Sequence, residues 1–359
     1  MLFFRLSSFY FFYFAAVGVY VIFLPKVLDS FDYSTLQIGI VLALAPLMRF
    51  LTPFLFLKHI ELSQKLFKIV LLLSVISSSG FYFTIENFYL FMINNAILGV
   101  CLSIVLPYME VIAIKELGNL YGKSRLFGSL GFMFIGLILA QYLNNPYTAL
   151  HYYFVTTLLT ALFSISLLRY DTKHIASKND EEFSLTKHYP FWIAIFLMQV
   201  SFGGFYNFFT IYETAHNISL QTTSYLWAFG VICEIVVFYF QAPLLKFNLM
   251  FLIKFSILAT SIRWLLLYLF PDNLTISYIT QSFHAFSFGL YHSAVILYLY
   301  KLYHNKKLAQ QFMLGISYGL GGFLGAIIAG YSYGKNLFLY SFIIAFISFL
   351  IIRQCNDKK

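Results

Sequence analysis

The sequence predicts an all-α membrane protein whose helices form two parallel six-helix repeats. Of its 359 residues, 60% are hydrophobic and 10% carry a charge, whereas soluble domains carry roughly 25% charged residues. Apolar runs of about 17 to 26 residues recur along the whole chain, and each is long enough to cross the hydrocarbon core as a helix. One charged segment, 169–189, separates the first six runs from the last six.

Twelve runs are predicted to span the membrane, and none alternates with the period of two that marks a membrane β-strand. In chain order they are 4–24, 37–57, 66–83, 88–114, 125–143, 147–168, 190–212, 222–243, 250–269, 275–300, 309–332 and 335–353. The predicted domains are an N-terminal bundle at 1–168, a cytoplasmic linker at 169–189 and a C-terminal bundle at 190–359. The first run lacks a small-residue cleavage site and is interpreted as a retained first helix.

The basic residues predict the orientation of these helices. With both termini in the cytoplasm, nineteen Lys and Arg fall in cytoplasmic ends and loops, and two, Lys26 and Lys335, fall in outer loops. This asymmetry follows the positive-inside rule. It explains the formal charge of +9 without nucleic acid as a partner. Cys101, Cys233 and Cys355 lie far apart and show neither a disulfide framework nor metal-ligand spacing.

Internal echoes support a duplication of the two halves. Arg49 lies thirteen residues after Leu36 in predicted helix 2, and Glu234 lies fourteen after Leu220 in predicted helix 8. Predicted helices 5 and 11 share a glycine spacing, in GSLGFMFIG and GISYGLGGFLG. Parallel repeats of this kind are typical of transporters that bind their substrate near the bilayer midplane.

Four ionisable side chains stand out inside the predicted spans, namely Arg49, Glu110, Glu234 and Arg263. A charge at the centre of a lone membrane helix costs on the order of 2.5 to 3.5 kcal/mol, so such groups normally face a protein interior or a water-filled cavity. A purely structural pair of Arg263 with Glu234 is replaceable by apolar side chains at little cost in stability. That argument favours function, although Arg49 has the alternative of locking the helices of its half together.

Helical periodicity places small and polar residues on shared faces. The stripes are Asn95, Gly99, Ser103, Pro107 and Glu110 on helix 4; Gln199, Gly203, Tyr206, Thr210 and Glu213 on helix 7; Trp227, Gly230 and Glu234 on helix 8; and His284, Phe288 and His292 on helix 10. Such stripes also occur as plain packing surfaces, and either histidine has the alternative of a structural donor. Glu86 and Glu213, near the predicted outer surface, are predicted to be solvated.

Enzyme motifs are absent from the sequence. It contains no H-E-x-x-H and no phosphate-cradling loop. The sequence therefore predicts no catalytic residue, no metal site and no cofactor. A polytopic membrane enzyme that uses His284 or His292, or a membrane sensor, is the alternative of a different class.

The motif PYMEVIAIKELGNLYGKSRLFGSLGF resembles the helix 4 to helix 5 region of the lactose permease and 3-phenylpropionate permease group of the major facilitator superfamily. The second half is similar to the phenylpropionate permeases in SYLWAFGVICEIVVF, IRWLLL and FHAFSFGLYH. The resemblance to the superfamily covers the whole chain. It implies the twelve-helix major facilitator fold and secondary active transport.

The resemblance also implies roles for individual residues. Glu110 and Arg125 correspond to a charge pair that holds the substrate, and Phe132 stands where lactose permease has a sugar-stacking tryptophan. Glu234 and Arg263 fall in the proton-coupling and substrate-linked group, with His284 at the helix 10 histidine. This chain departs from lactose permease because it has no acid on helix 10, so Glu234 becomes the candidate proton carrier.

The mechanism expected from these residues is alternating access of the two halves, coupled to proton entry. Burial in a low-dielectric site favours the neutral form of a carboxylate, which suits a proton carrier. Tyr206 and Trp227 are expected to offer aromatic surface to the substrate, and His292 to belong to the proton-coupling set. An aryl carboxylate, a sugar or a nucleoside would each suit the site, and export of a drug or metabolite is the alternative direction. We expect a monomer in the bacterial inner membrane, with the proton as coupling ion.

Overall fold

The structure is a computed structural model that describes residues 1–58, 63–171, 184–334 and 336–355. The chain divides into two compact units, Met1–Ile175 and Ala176–Lys359. Most of the predicted linker, at 172–183, lies outside the described residues, as does Lys335. The predicted domain boundaries stay a prediction, and each unit is described by itself.

The all-α prediction is confirmed, because every regular element among the described residues is helical. The α-helices of the first unit are α1 (Leu2–Gly18), α2 (Leu24–Ser30), α3 (Thr35–Lys58), α4 (Gln64–Thr84), α5 (Phe88–Leu117), α6 (Tyr121–Tyr142) and α7 (Pro146–Leu167). A π-helical segment at Val19–Phe23 joins α1 to α2. Proline inside α3 and α5 is tolerated in membrane helices because neighbouring groups can satisfy the freed backbone atoms.

The second unit is more interrupted. Its α-helices are α8 (Tyr189–Ser201), α9 (Gly203–Ala215), α10 (Leu220–Leu244), α11 (Leu249–Leu269), α12 (Leu274–Ser282), α13 (Tyr291–Leu302), α14 (Lys306–Met313), α15 (Gly322–Ser332) and α16 (Leu337–Ile352). Two π-helical segments, Ala285–Leu290 and Leu314–Gly321, lie between α12 and α13 and between α14 and α15. Such π-segments shift the register of the helix that follows them and are frequent at functional sites.

Side-chain caps set the start of many helices. A Ser or Asn accepts a backbone N–H of the first turn, which satisfies a donor that the helix itself leaves free. The capping residues are Ser63, Asn87, Asn145, Ser219, Asn248, Asn273 and Asn305. Each of these polar residues stands just before an apolar run. The predicted starts of those runs therefore agree with the helix starts to within a few residues.

Nine helical runs among the described residues are long and apolar enough to cross a membrane, and Leu337–Ile352 is a shorter apolar helix. One of the nine, Phe88–Tyr142, contains both α5 and α6, which meet at Gly118 with a positive φ of 49°. The predicted span at 275–300, which consists of α12, the π-segment and α13, is not among the nine. The number twelve therefore stays a prediction.

Glycines allow two close helix crossings, one in each unit. A Cβ at Gly131 of α6 would lie 2.0 Å from the backbone oxygen of Phe11 in α1. A Cβ at Gly203 of α9 would lie 2.0 Å from the backbone oxygen of Gly325 in α15. The glycine spacing shared by predicted helices 5 and 11 thus marks a helix-packing surface in each unit, which is the usual use of small residues in membranes.

Replacing Gly131 with Ala should destabilise the first unit, because the new methyl group would overlap the backbone of α1 and force the two helices apart. Overpacking of this kind costs about 1 to 3 kcal/mol. The measurement is the thermal unfolding midpoint in detergent. Gly122→Ala, on the same helix with no atom within 4 Å of its Cβ position, is the matched control and should not lower the midpoint. An equal loss in both variants would contradict the crossing.

Candidate functional site

In the first unit, Glu110 and Arg125 form an ion pair. The short turn at Gly118–Leu120 reverses the chain between α5 and α6, so the end of one helix faces the start of the next. Arg125 Nε lies 3.2 Å from Glu110 Oε1, and the Tyr121 hydroxyl donates to the same oxygen at 3.4 Å. The side chains of Arg125 and Glu110 are 32% and 30% exposed. The pair is therefore formed and also accessible.

Arg125 lies deeper in its helix than predicted. The sequence placed the helix start at Arg125, whereas α6 begins at Tyr121, because the segment from Tyr121 to Ser124 continues helically from the turn. Its guanidinium carbon lies 4.1 Å from the ring centroid of Phe14 and 5.3 Å from that of Tyr10. Cation–π contacts of this kind hold the guanidinium flat against α1.

Phe132 and Arg49 lie apart from this ion pair. Phe132 is seven residues after Arg125 on α6, which places it on the same face two turns along, and it is half-buried. Arg49 on α3 is exposed and has no carboxylate within 4 Å among the described residues. Tyr13 is close enough to interact electrostatically with Arg49, Glu110 and Arg125. The locking role predicted for Arg49 has no ion pair to support it here and stays a prediction.

In the second unit, Arg263 of α11 is fully buried. Its Nη1 donates to His284 Nδ1 at 3.1 Å and to Ser287 Oγ at 3.2 Å, and its Nη2 donates to Gln281 Oε1 at 3.2 Å. All three acceptors come from the broken helix that contains α12 and the following π-segment. Hydrogen bonds to a charged donor are stronger than neutral ones, so they hold α11 to this broken helix.

Aromatic rings cover the faces of the Arg263 guanidinium. Its central carbon lies 4.2 Å from the ring centroid of Phe205 and 4.6 Å from that of Trp264. Phe205 also packs against Trp227 at 4.5 Å and His284 at 5.6 Å between centroids. The break between α8 and α9, beside the glycine crossing with α15, positions Phe205 for these contacts. A desolvated cation gains more from aromatic faces than an exposed one.

His284 connects Arg263 to Glu234. Its Nε2 lies 3.3 Å from Glu234 Oε2, and the two side chains are 9% and 13% exposed. Arg263 has donors only, so His284 Nδ1 must accept from it, and the proton of a neutral imidazole then sits on Nε2 and is donated to Glu234. The direct approach of Arg263 to Glu234 considered from the sequence is not observed, because His284 lies between them.

Two glycines let α10 approach the broken helix. A Cβ at Gly230 would lie 3.0 Å from Gln281 Oε1, and a Cβ at Gly289 would lie 3.3 Å from Glu234 Cγ. The stripe of Trp227, Gly230 and Glu234 predicted from spacing therefore does face helix 10. It serves both close packing and the placement of a carboxylate.

The helix 10 residues stack in a column. His284 and Phe288 lie parallel with ring centroids 5.4 Å apart, and Phe288 and His292 follow at 6.0 Å. His292 Nδ1 is 2.8 Å from the Tyr318 hydroxyl. The structure therefore brings the three predicted helix 10 residues together. His292 lies two turns from His284 and is hydrogen-bonded to the second π-segment.

The two predicted aromatic contacts differ in exposure. Tyr206 is half-buried and stacks on Phe202 with centroids 5.4 Å apart. Trp227 is 4% exposed, and its Nε1 donates to Thr210 Oγ1 at 3.1 Å. Trp227 therefore packs against Phe205 inside the unit, whereas Tyr206 keeps part of its side chain exposed.

The structure also corrects the prediction for Glu213 and adds residues that were not predicted. Glu213, predicted to be solvated, is 0% exposed because its face of α9 packs inward against α12. Gln281 and Ser287 were missed, although they lie three residues on either side of His284 and share its helix face. Phe205 gave no signal, since it is one of 44 phenylalanines.

Comparison with known proteins gives a consistent result. Residues 3–344 match the MFS_1 like family. The chain is 24% identical over 247 residues to the "Probable 3-phenylpropionic acid transporter" of Escherichia coli (strain K12), covering 64% of each chain. It is 26% identical over 348 residues to the "Uncharacterized transporter YwbF" of Bacillus subtilis (strain 168), covering 91% of this chain and 85% of that protein. The first match thus spans less than two thirds of that relative.

Solved structures with the same fold are also transporters. The crystal structure of the nucleoside transporter NupG matches with a TM-score of 0.77 at 16% identity, covering 98% of both chains. An inward-facing, unoccupied bacterial homolog of the human lysosomal transporter Spinster matches with a TM-score of 0.71 at 11% identity, covering 98% of this chain and 96% of that one. At these identities the likeness shows the fold alone.

The hydrogen bonds of Arg263 predict one tautomer of His284. Nitrogen NMR of histidine-labelled protein at neutral pH should show His284 with an unprotonated Nδ1 and a protonated Nε2. The His284 signals are assigned as those missing from the spectrum of His284→Gln. In Arg263→Leu the preference for this tautomer should weaken, because the donor to Nδ1 is gone. His292 serves as the internal control, and a protonated Nδ1 on His284 would contradict the relay.

Proposed function

The chain belongs to the MFS_1 like family and is a transporter of the major facilitator type, not an enzyme, and from this premise we propose that it takes up a small aryl carboxylate together with a proton. The uptake proceeds by alternating access. The observation that carries this proposal is the accessible Glu110–Arg125 pair, whose guanidinium rests on an aromatic ring. The name of the phenylpropionic acid transporter in Escherichia coli supports the same substrate class.

The chemistry of the pair suits a carboxylate attached to an aromatic group. Glu110 contacts Arg125 through Nε, and the Arg125 side chain is 32% exposed, so its guanidinium can bind a carboxylate through paired N–H groups. Phe14 and Tyr10 line the same guanidinium and provide apolar surface for a ring, with Phe132 two turns further along α6. A sugar or nucleoside is the second candidate, because Glu110 Oε2 can accept hydrogen bonds from hydroxyl groups.

Proton coupling is assigned to the relay of Glu234, His284 and Arg263. While Glu234 is ionised, it accepts a charge-assisted hydrogen bond from His284 Nε2, and His284 Nδ1 in turn accepts from Arg263. A proton on Glu234 removes the charge from this bond and weakens it. The contact between α10 and the broken helix then loosens, so proton binding alters the packing of the second unit.

The setting of the transporter is part of the proposal. The positive-inside asymmetry supports both termini in the cytoplasm. The bacterial sources of the two relatives support the bacterial inner membrane, and the transporter is proposed to act as a monomer. Neither a cofactor nor nucleic acid enters the mechanism, and the proton is the coupling ion.

The coupling role predicts that Glu234→Gln loses accumulation and keeps exchange. In proteoliposomes with an imposed proton gradient, wild type should concentrate labelled 3-phenylpropionate, whereas the variant should only equilibrate it. Counterflow should survive because it needs no net proton movement. Glu86→Gln removes an exposed carboxylate and is the matched control. Accumulation by Glu234→Gln at the wild-type level would rule out this carrier.

The binding role predicts that Arg125→Lys raises the KM for 3-phenylpropionate about 10- to 100-fold, since lysine cannot present two parallel N–H donors. The neutral amide of the same acid should be affected less. Arg169→Lys, an exposed arginine bonded to its neighbour Tyr170, is the control. Saturable uptake of sugars or nucleosides by wild type, with none of the aryl carboxylate, would replace the proposed substrate class.

A further inference from the structure

Glu213 is a buried carboxylate that the proposed mechanism does not use. It lies in the last turn of α9 and is 0% exposed. The Ser277 hydroxyl of α12 lies 3.2 Å from each of its two oxygens. No Lys, Arg or His lies within 4 Å of the carboxylate among the described residues. A charge in this position would have one shared hydrogen bond and no counter-ion.

The geometry at Ser277 fits the protonated acid better than the anion. An ionised carboxylate offers about four acceptor sites, and a single hydroxyl proton can satisfy one of them at a time. A carboxylic acid and a hydroxyl, by contrast, can each donate once and accept once. With Oγ equally distant from both oxygens, Ser277 can donate to one and accept from the other, which satisfies both groups without a cation.

Other titratable groups near this end do not provide the missing positive charge. On α9 itself, Tyr212 and His216 stack with centroids 4.3 Å apart, and the His216 Nδ1 is 2.8 Å from the Tyr212 carbonyl oxygen. Asp272, in the turn before α12, and Tyr333, after α15, interact electrostatically with Tyr212. These neighbours are neutral phenols, another acid and a histidine bonded to the backbone.

Glu213 and Ser277 lie close to the same end of the second unit. Glu213 is two residues from the end of α9, and Ser277 is three residues into α12. The loop that follows α9 closes over this end, with the Ile218 N–H bonded to the Glu213 carbonyl oxygen at 3.1 Å and Ile218 8% exposed. Because Glu213 lies within one turn of this end and its carboxylate contacts Ser277 of α12, an opening between α9 and α12 would hydrate it.

We propose that Glu213 is a second proton-binding site, filled whenever this end of the unit is closed and emptied to the same side when it opens. The orientation, which places this end outside, rests on the proposed function. Because the open state holds one proton fewer, raising the pH favours opening and lowering it favours closure. The proton returns to the side it came from, so Glu213 sets the pH dependence of closure without carrying a proton across.

The protonation state can be measured without transport. Infrared absorption spectra of the full-length wild-type protein, in lipid nanodiscs at neutral pH, should contain the carbonyl stretch of a protonated carboxylic acid. The band should vanish in Glu213→Gln and persist in Glu86→Gln. If wild type and Glu213→Gln give the same carboxylic-acid region, Glu213 is ionised and the proposal fails, whatever the substrate proves to be.

The linkage to opening has a second test, in a background with the three native cysteines replaced by serine. A membrane-impermeant maleimide should label Ile218→Cys faster as pH rises, by up to about tenfold per pH unit for one released proton. Rates are divided by those of Gln221→Cys, exposed in the same region, which removes the pH dependence of the thiol chemistry. Adding Glu213→Gln, an uncharged isostere suited to the closed state, should abolish the pH dependence of this rate ratio. An unchanged pH dependence would overturn the proposal.

Discussion

A guanidinium without access to water must find its partners within the protein, and the second unit is built around this requirement at Arg263. Every member of its shell is electrically neutral or aromatic, because a carboxylate held directly against it would form a deeply buried ion pair. Such pairs are costly to desolvate and often add no net stability. The protein instead reaches its negative group, Glu234, through the ring of His284. Helices α9, α10, α11 and the broken helix are thereby tied to one side chain.

The first unit solves the same problem differently. Glu110 and Arg125 touch directly, yet each remains about one third exposed, so water still stabilises both charges. An exposed pair contributes little to stability. The presence of the Glu110–Arg125 pair is therefore better explained by the proposed contact with a solute than by a contribution to stability. The contrast in exposure separates the proposed substrate-binding pair from the proposed proton relay.

Much of this division could be read from the sequence, because charges within apolar runs are rare and expensive. The all-α class followed from the length of the apolar runs, and Glu110, Glu234 and Arg263 followed from that rule. The resemblance to known permeases indicated Arg125 as a partner and the roles of all four. Rotation about a helix axis was harder to predict. Glu213 lies near a helix end, which suggested solvent, but the face it occupies on α9 points at α12. The role of Phe205 could not be predicted from the sequence, because only its packing against Arg263 distinguishes it from the other phenylalanines.

The position of His284 between Arg263 and Glu234 explains why a histidine suits the relay. Residues three apart share a helix face, so His284 and Ser287 both face Arg263. A neutral imidazole accepts a hydrogen bond at one nitrogen and donates one at the other. His284 therefore couples the hydrogen bonds of Arg263 and Glu234, which do not contact each other. If Glu234 gains a proton, the bond at Nε2 weakens, and the polarisation of the ring that favours the bond from Arg263 weakens with it. In the proposed coupling, the buried Arg263 thus responds to a proton on Glu234 through His284.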